Sequence, residues 1–418
     1  MPAIAAHDVT DRLAELARFT GRGAGVTRLV YDEAWCAAHR WLASEARAMG
    51  LAATADWAGN LYLHDPAVKP GHAAPPVLMV GSHLDSVKHG GRLDGAYGTI
   101  AGLLVAHASR GMAGLPVVGF VSSEEEGSRF HGGMMGARSM LGMVDERELD
   151  TVADREGITW RDALEDARAR GCAAALPRAP FAPLFRPAIE LELHIEQGPV
   201  LEAEGLALAI VDRIAGYRHW TAWIEGEARH AGTTPMRLRH DALAAAGEMI
   251  LAAEHAAGEA GEPAVATVGF ARPSPGLFNV VPGTCELWLE CRHVRGDDLE
   301  ALADAVTRRW REVAQRRGVR LGLEEGPGQP PTALSAALAD AATDLAREMR
   351  LAHRRMASGA GHDTTVFAQA GVPTLMAFVP SRAGVSHSPD EATDDDHLVT
   401  GVQFLAALTR RLAEHTPR

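Results

Sequence analysis

The stretch from Val80 to Leu103, VGSHLDSVKHGGRLDGAYGTIAGL, constrains the fold more than any other. An apolar β-type run, Val77 to Val80, turns abruptly into a glycine-rich polar loop carrying His83, Asp85 and Asp94, and Thr99 to Arg110 then reads as a helix. Strand, polar loop and helix in that order form the unit of an open α/β sheet, whose ligand sites lie just beyond the carboxyl ends of the strands. A histidine and two carboxylates delivered to such an end make a candidate metal cradle. Imidazole with carboxylate suits zinc and its first-row neighbours, whereas a hard cation would be held by oxygen alone. The competing reading is a connection whose polar side chains only cap turns, and it fails only if other strand ends supply matching ligands.

Three other strand ends do. Pro116 to Val121 is strand-like and runs into Ser122-Ser123-Glu124-Glu125-Glu126-Gly127. Consecutive acids usually form a solvated loop. Directly after an apolar strand, however, they are aimed at the edge that His83 occupies, where one acid can bind metal while its neighbour handles protons. Ala188 to Glu196, AIELELHIE, alternates with period two, so that Ile189, Leu191, Leu193 and Ile195 share one face and Glu190, Glu192, His194 and Glu196 the other. His194 therefore sits on the polar face near a strand end. Pro373 to Val379 reads as a buried strand, with Gly384, Ser386, His387, Ser388 and Pro389 beyond it.

A chain of 418 residues exceeds what one hydrophobic core usually serves, so two domains are expected. Val9 to about Leu51 reads as helices and Asn60 to Leu63 as a short strand. Met143 to Pro187 is helical and then rich in Pro and Ala, with no visible site. From about Val211 the character changes. Strand-like runs Trp220 to Gly226, Ala264 to Phe270 and Thr284 to Cys291 alternate with helices Leu243 to Ala257 and Asp298 to Arg317, a β-α-β-β-α order that predicts a small α+β layer set into an α/β chain. Gly326 to Pro331 reads as the return hinge. The expected division is residues 1–212 and 329–418 for the main domain and 213–328 for the inserted one.

The formal net charge of -13, without any run of Lys or Arg, argues against general binding to nucleic acid or anionic membrane, so an anionic substrate would need particular arginines. Cys36, Cys172, Cys285 and Cys291 show no CxxC spacing, which argues against a disulfide framework or a cysteine-zinc site. The N-terminus reads as an ordinary helix start, and no apolar run approaches the roughly 20 residues that span a bilayer. A reducing cytoplasm is the simplest expectation.

The motifs GSHLDS, GGRLDG, EEEGSRF, ELHIEQGPVLE, HAGTTPM, NVVPG, CRH, SGAGHD and GVSHSPDE, in this order along nearly the whole chain, resemble the M20-type zinc amidohydrolases. More narrowly they resemble the hydantoinase/carbamoylase branch, which holds N-carbamoyl-L-amino acid hydrolase, β-ureidopropionase and allantoate amidohydrolase. The resemblance implies a mixed-sheet, di-zinc aminopeptidase-like catalytic domain with an inserted ferredoxin-like α+β lid that also forms a homodimer. It implies two divalent ions, zinc first, with manganese, cobalt or nickel as alternatives. Asp94 would bridge them, His83 and His194 completing one ion and Glu126 and His387 the other. Glu125 would be general base and acid, and Asp85 would orient His83. A cis peptide after the bridging aspartate is also implied. His230, Asn279, Arg292 and Gln197 would contact substrate, His230 also stabilising the oxyanion and Arg292 gripping a substrate carboxylate through two charge-assisted bonds. Histidine rather than an acid at position 194 favours ureido over peptide cleavage. The expected reaction is hydrolysis of an N-carbamoyl-L-amino acid, with allantoate or N-carbamoyl-β-alanine as rival substrates and a non-catalytic metal-binding scaffold as the rival of another class.

Overall fold

A computed structural model describes residues 4–71, 74–176 and 183–415. The first residues of the expected helix start and residues 177–182 of the Pro- and Ala-rich stretch before Pro187 lie outside them. The chain divides into two compact units. One runs to Asp212 and resumes over Leu334–Met356 and from His362; the other comprises Arg213–Ala333 and Ala357–Gly361.

The first unit is built on a mixed sheet. In chain order its strands are β1 (Ala52–Ala55), β2 (Leu61–His64), β3 (Pro76–His83), β4 (Val117–Ser122), β5 (Arg186–Ile195) and β6 (Leu208–Ile214), the last running across the boundary between the units. The second unit contributes β7 (Gly216–Glu225), β8 (Val265–Ser274), β9 (Thr284–His293) and β10 (Arg320–Glu325), after which β11 (Thr374–Val379) rejoins the first sheet. That sheet runs β1-β2-β4-β3-β5-β11-β6, and the strands Thr332–Ala333 and His353–Ser358 also pair with β6. Its four middle strands are parallel, with His83 paired to Ser122 and Phe378 to His194. Strands β1, β2 and β6 pair antiparallel at the flanks. Four parallel strands therefore end along one edge, where an open α/β sheet presents its ligands.

Parallel strands need helices on their faces, and the first helix after β3, Ala96–Ala108, is buried nearly all round. It packs close because Gly102 faces the backbone of β3: a Cβ there would lie 2.5 Å from the Val80 carbonyl. On β5 the apolar and polar faces separate as the period predicts, yet both are buried. From Ile189 to Ile195 every residue of the strand is buried. Glu192 accepts hydrogen bonds from Ser82 Oγ at 2.7 Å and Thr364 Oγ1 at 2.7 Å, and Thr364 also reaches Glu190 at 3.1 Å. Period two is a property of the strand; burial of both faces is a property of its neighbours.

The second unit is an antiparallel sheet in the order β10-β7-β9-β8, with helices Ala242–Ala260 and Gly296–Arg317 packed on it. The order is β-α-β-β-α-β, one strand more than expected, because Arg320–Glu325 pairs with β7. Trp310 anchors the helical side, fully buried, with Nε1–H donating to the Met249 carbonyl at 2.7 Å. Gly326 to Pro331 is not a bare hinge, since Tyr217 and Gln329 exchange backbone hydrogen bonds at 2.8 and 3.0 Å. Among the described residues no helix is long and apolar enough to cross a membrane.

Candidate metal centre

Two strand ends and two loops of the first unit converge on Asp94. His83 closes β3, His194 lies one residue before the end of β5, and the loop beyond β11 brings back His387. One oxygen of Asp94, Oδ1, lies 3.5 Å from His83 Nε2 and 3.1 Å from His194 Nε2. The other, Oδ2, lies 3.1 Å from His387 Nε2, which is in turn 3.7 Å from Glu126 Oε2. The two faces of a single carboxylate are thus divided between two ligand sets.

Local geometry enforces this division. Gly95 follows Asp94 with φ 63, and a Cβ there would fall 2.3 Å from the His83 ring, so only glycine turns the chain at this point. The two cis peptides among the described residues precede Pro263 and Pro275. The cis bond expected after Asp94 is therefore not found; the turn is made by the positive φ of Gly95 instead. Gln197 and His387 also hold positive φ, 59 and 53, a conformation that side chains adopt rarely and that marks over-determined sites.

Asp85 is buried and joins two parts of the site. Its Oδ1 lies 3.3 Å from His83 Nδ1 and accepts the Glu125 backbone N–H at 3.0 Å, while Oδ2 accepts that of Glu126 at 3.2 Å. This anchors the tautomer of His83, leaving Nε2 toward Asp94, and fixes the acidic loop at the same time. Within that loop the three glutamates differ. His83, Glu125 and Glu126 offer ligand atoms within 4.8 Å of one another, as do Asp94, Glu126 and His387, and also His83, Asp94 and His194. Glu124 joins none of these groups. It is turned into the interior with 1% exposure, and Glu125 and Glu126 are half-buried, so the run is not a solvated loop.

Charge supports a cation here. Burial, then repulsion from Asp94, pushes Glu126 up to about 8 despite the nearby histidines, and its buried Oε1 has no hydrogen-bond partner. Glu125 is likewise raised well above the ordinary carboxylate range by burial, with Glu126, Asp363 and Asp85 adding to the effect of burial and His83 opposing it. Asp94 is also desolvated, yet its bonds from His194, His387 and His83 hold it well below its usual value. Buried acids clustered with imidazoles at ligand spacing fit divalent ions of the zinc class.

Gln197 donates through Nε2 to Asp94 Oδ2 and to Ser386 Oγ, both at 3.1 Å. His230, Asn279 and Arg292 belong to the second unit. A short ladder pairs His230 with Val280, and the Ala231 N–H reaches the Asn279 carbonyl at 2.9 Å, so His230 and Asn279 lie on adjoining segments, both exposed. His230 Nδ1 accepts from the Gly232 and Thr233 backbone at 3.1 and 3.3 Å, which leaves Nε2 as the hydrogen-bearing, outward nitrogen. Arg292 lies on the face of the sheet away from the helices.

One contributor escaped notice in the sequence. Glu391, 4% exposed, accepts the N–H groups of Leu93 and Asp94 on Oε1 at 2.9 and 3.1 Å and Ser386 Oγ–H on Oε2 at 2.8 Å, clamping the bridging loop to the His387 loop. Its only signal was its place at the end of GVSHSPDE. His362, 2% exposed, stands edge-on to His194 at 4.8 Å.

Residues 79–411 match the model of peptidase family M20/M25/M40. The chain belongs to the M20 family. It is 36% identical to an N-carbamoyl-L-amino-acid amidohydrolase of Paenarthrobacter aurescens, covering 97% of this chain and 98% of that one, and 33% identical to an allantoate amidohydrolase of Escherichia coli, covering 93% of each. Among solved structures it is similar to an amidase of the hydantoinase/carbamoylase family from Burkholderia multivorans, with a TM-score of 0.88, 29% identity and 99% of each chain covered. This M20 protein is therefore a carbamoylase-branch amidohydrolase acting on C–N bonds other than peptide bonds, with a divalent metal site.

Proposed function

We propose that the enzyme hydrolyses the ureido C–N bond of an N-carbamoyl-L-amino acid, releasing the amino acid, ammonia and carbon dioxide. The observation that carries this reading is the division of Asp94, one oxygen toward His83 and His194 and the other toward His387 and Glu126. That division suits two divalent ions, zinc first, sharing one carboxylate. When bound, such ions supply Lewis acidity and make water acidic enough to attack at neutral pH.

The remaining chemistry falls to the protein. Glu125, its proton affinity raised by burial, takes a proton from the attacking water and returns it to the leaving nitrogen. Asp85 holds His83 and the Glu125 backbone in register. The outward Nε2–H of His230 donates to the developing oxyanion, with Asn279 beside it. Gln197 orients the substrate from the metal side, and Arg292 grips its carboxylate. The second unit acts as a lid and as the surface through which two copies of the chain pair.

Identity to both an N-carbamoyl-L-amino-acid amidohydrolase and an allantoate amidohydrolase makes allantoate the second reading. Ammonia release should be measured side by side on N-carbamoyl-L-amino acids, N-carbamoyl-β-alanine and allantoate after reconstitution with metal. The expected result is the highest kcat/KM on an N-carbamoyl-L-amino acid. A tenfold preference for allantoate would replace the first reading by the second, and no turnover of any of them would leave a metal-binding scaffold.

A further inference from the structure

The face of the second unit's sheet away from its helices carries side chains in cross-strand rows. The register pairs Glu290 of β9 with His219 of β7, and Arg292 with Tyr217. Glu290 Oε1 accepts Arg292 Nε–H at 2.5 Å and Oε2 accepts Nη2–H at 3.0 Å. Oε2 also lies 2.6 Å from His219 Nε2, which must carry the hydrogen, since an ionised carboxylate only accepts. Tyr217 stacks on His219 at 4.6 Å, and the guanidinium of Arg292 stands 5.6 Å from the Tyr217 ring centre. Arg292 Nη1 donates to the Gly359 carbonyl at 2.7 Å.

The donors of Arg292 can be followed one by one. Glu290 takes the Nε hydrogen and one Nη2 hydrogen, and Gly359 takes one on Nη1. What remains is a single N–H on each terminal nitrogen, the pair able to grip a carboxylate through two parallel bonds. Burial would push the Glu290 carboxyl up, but the Arg292 and His219 bonds hold it below its ordinary value, so it stays an anion.

We propose that Glu290, backed by His219, is a positioning residue that presets Arg292 for the substrate carboxylate. This rests on the reading of Arg292 given above. A free arginine must surrender its rotamer freedom when substrate binds; one already held by Glu290 has surrendered it on folding, which tightens binding without touching the bond that breaks.

The test compares wild type, Glu290→Ala, Glu290→Gln and Arg292→Ala on an N-carbamoyl-L-amino acid and on the matching N-carbamoyl amine that lacks the carboxylate, with melting curves to confirm folding. Glu290→Ala is expected to raise KM for the acid about tenfold with kcat within about twofold, and to leave kcat/KM for the amine unchanged. Glu290→Gln, which keeps one acceptor oxygen, should fall between. Equal losses on both compounds, or none on either while Arg292→Ala loses the acid, would overturn the role of Glu290 alone. A wild type that hydrolyses neither compound, or an Arg292→Ala variant that keeps the acid, would instead sink the substrate reading and the proposal with it.

Discussion

The two units treat polar side chains in opposite ways. In the first, His83, Asp85, Asp94 and His194 are all at most 4% exposed and are fixed by packing and by hydrogen bonds to one another. In the second, His230 is exposed, and Arg292 and Glu290 lie on an uncovered sheet face beside Trp223 and Trp288, 41% and 51% exposed. Burial leaves Glu126 of the first unit with an oxygen that only a cation would satisfy, whereas the second unit orients Arg292 through Glu290 and the Gly359 carbonyl on an open sheet face. Rigidity suits a site that holds ions, and access suits the substrate-recognising role proposed for Arg292.

The sharpest way to break that comparison is Asp94→Ala. Losing the carboxylate whose two oxygens are divided between the ligand sets should abolish turnover, by at least about a thousandfold, and lower the metal content of the purified protein. Turnover and metal content near wild type would mean that the buried cluster is not the reaction centre. Glu125→Gln should separate chemistry from metal binding: metal content stays, as measured by elemental analysis, while kcat falls by about 10²–10⁴.

Glu391→Gln tests whether distant groups hold the bridge. It replaces an acceptor that fixes the Asp94 backbone, and the expected cost is about tenfold to a hundredfold in metal affinity, read by competition with a chelating dye. The smallest effects separate buried from open surface within the second unit. Trp310→Ala should cost about 3–5 kcal/mol by denaturant unfolding, whereas Trp223→Ser on the open face should cost under about 1 kcal/mol. Similar costs for the two would show that the open face is covered in solution.

Legibility in the sequence differed by element. The strands β3, β4, β5 and β11 were visible because apolar runs ending in polar loops are local signals. Short β1, the edge strand β10, and β6 were not, because their strand character comes from the partners they pair with. The alternation in β5 correctly separated Glu190, Glu192 and His194 from their apolar neighbours, yet it could not say whether their face met water. The structure buries that face and satisfies Glu192 through Ser82 and Thr364, residues far away in sequence. Glu391 stayed hidden for the same reason.

The sequence by itself determined the kinds of ligand and their delivery to strand ends, since both follow from neighbouring residues and from the two-residue repeat of a strand. Only the tertiary structure decided that four parallel strands lie side by side, so that their ends share one edge, and which oxygen of Asp94 meets which histidine. It alone turned Glu124 inward and left Glu125 and Glu126 at the metal cradle. Strand order and register arise from pairings between segments remote in the chain, and no local pattern specifies them.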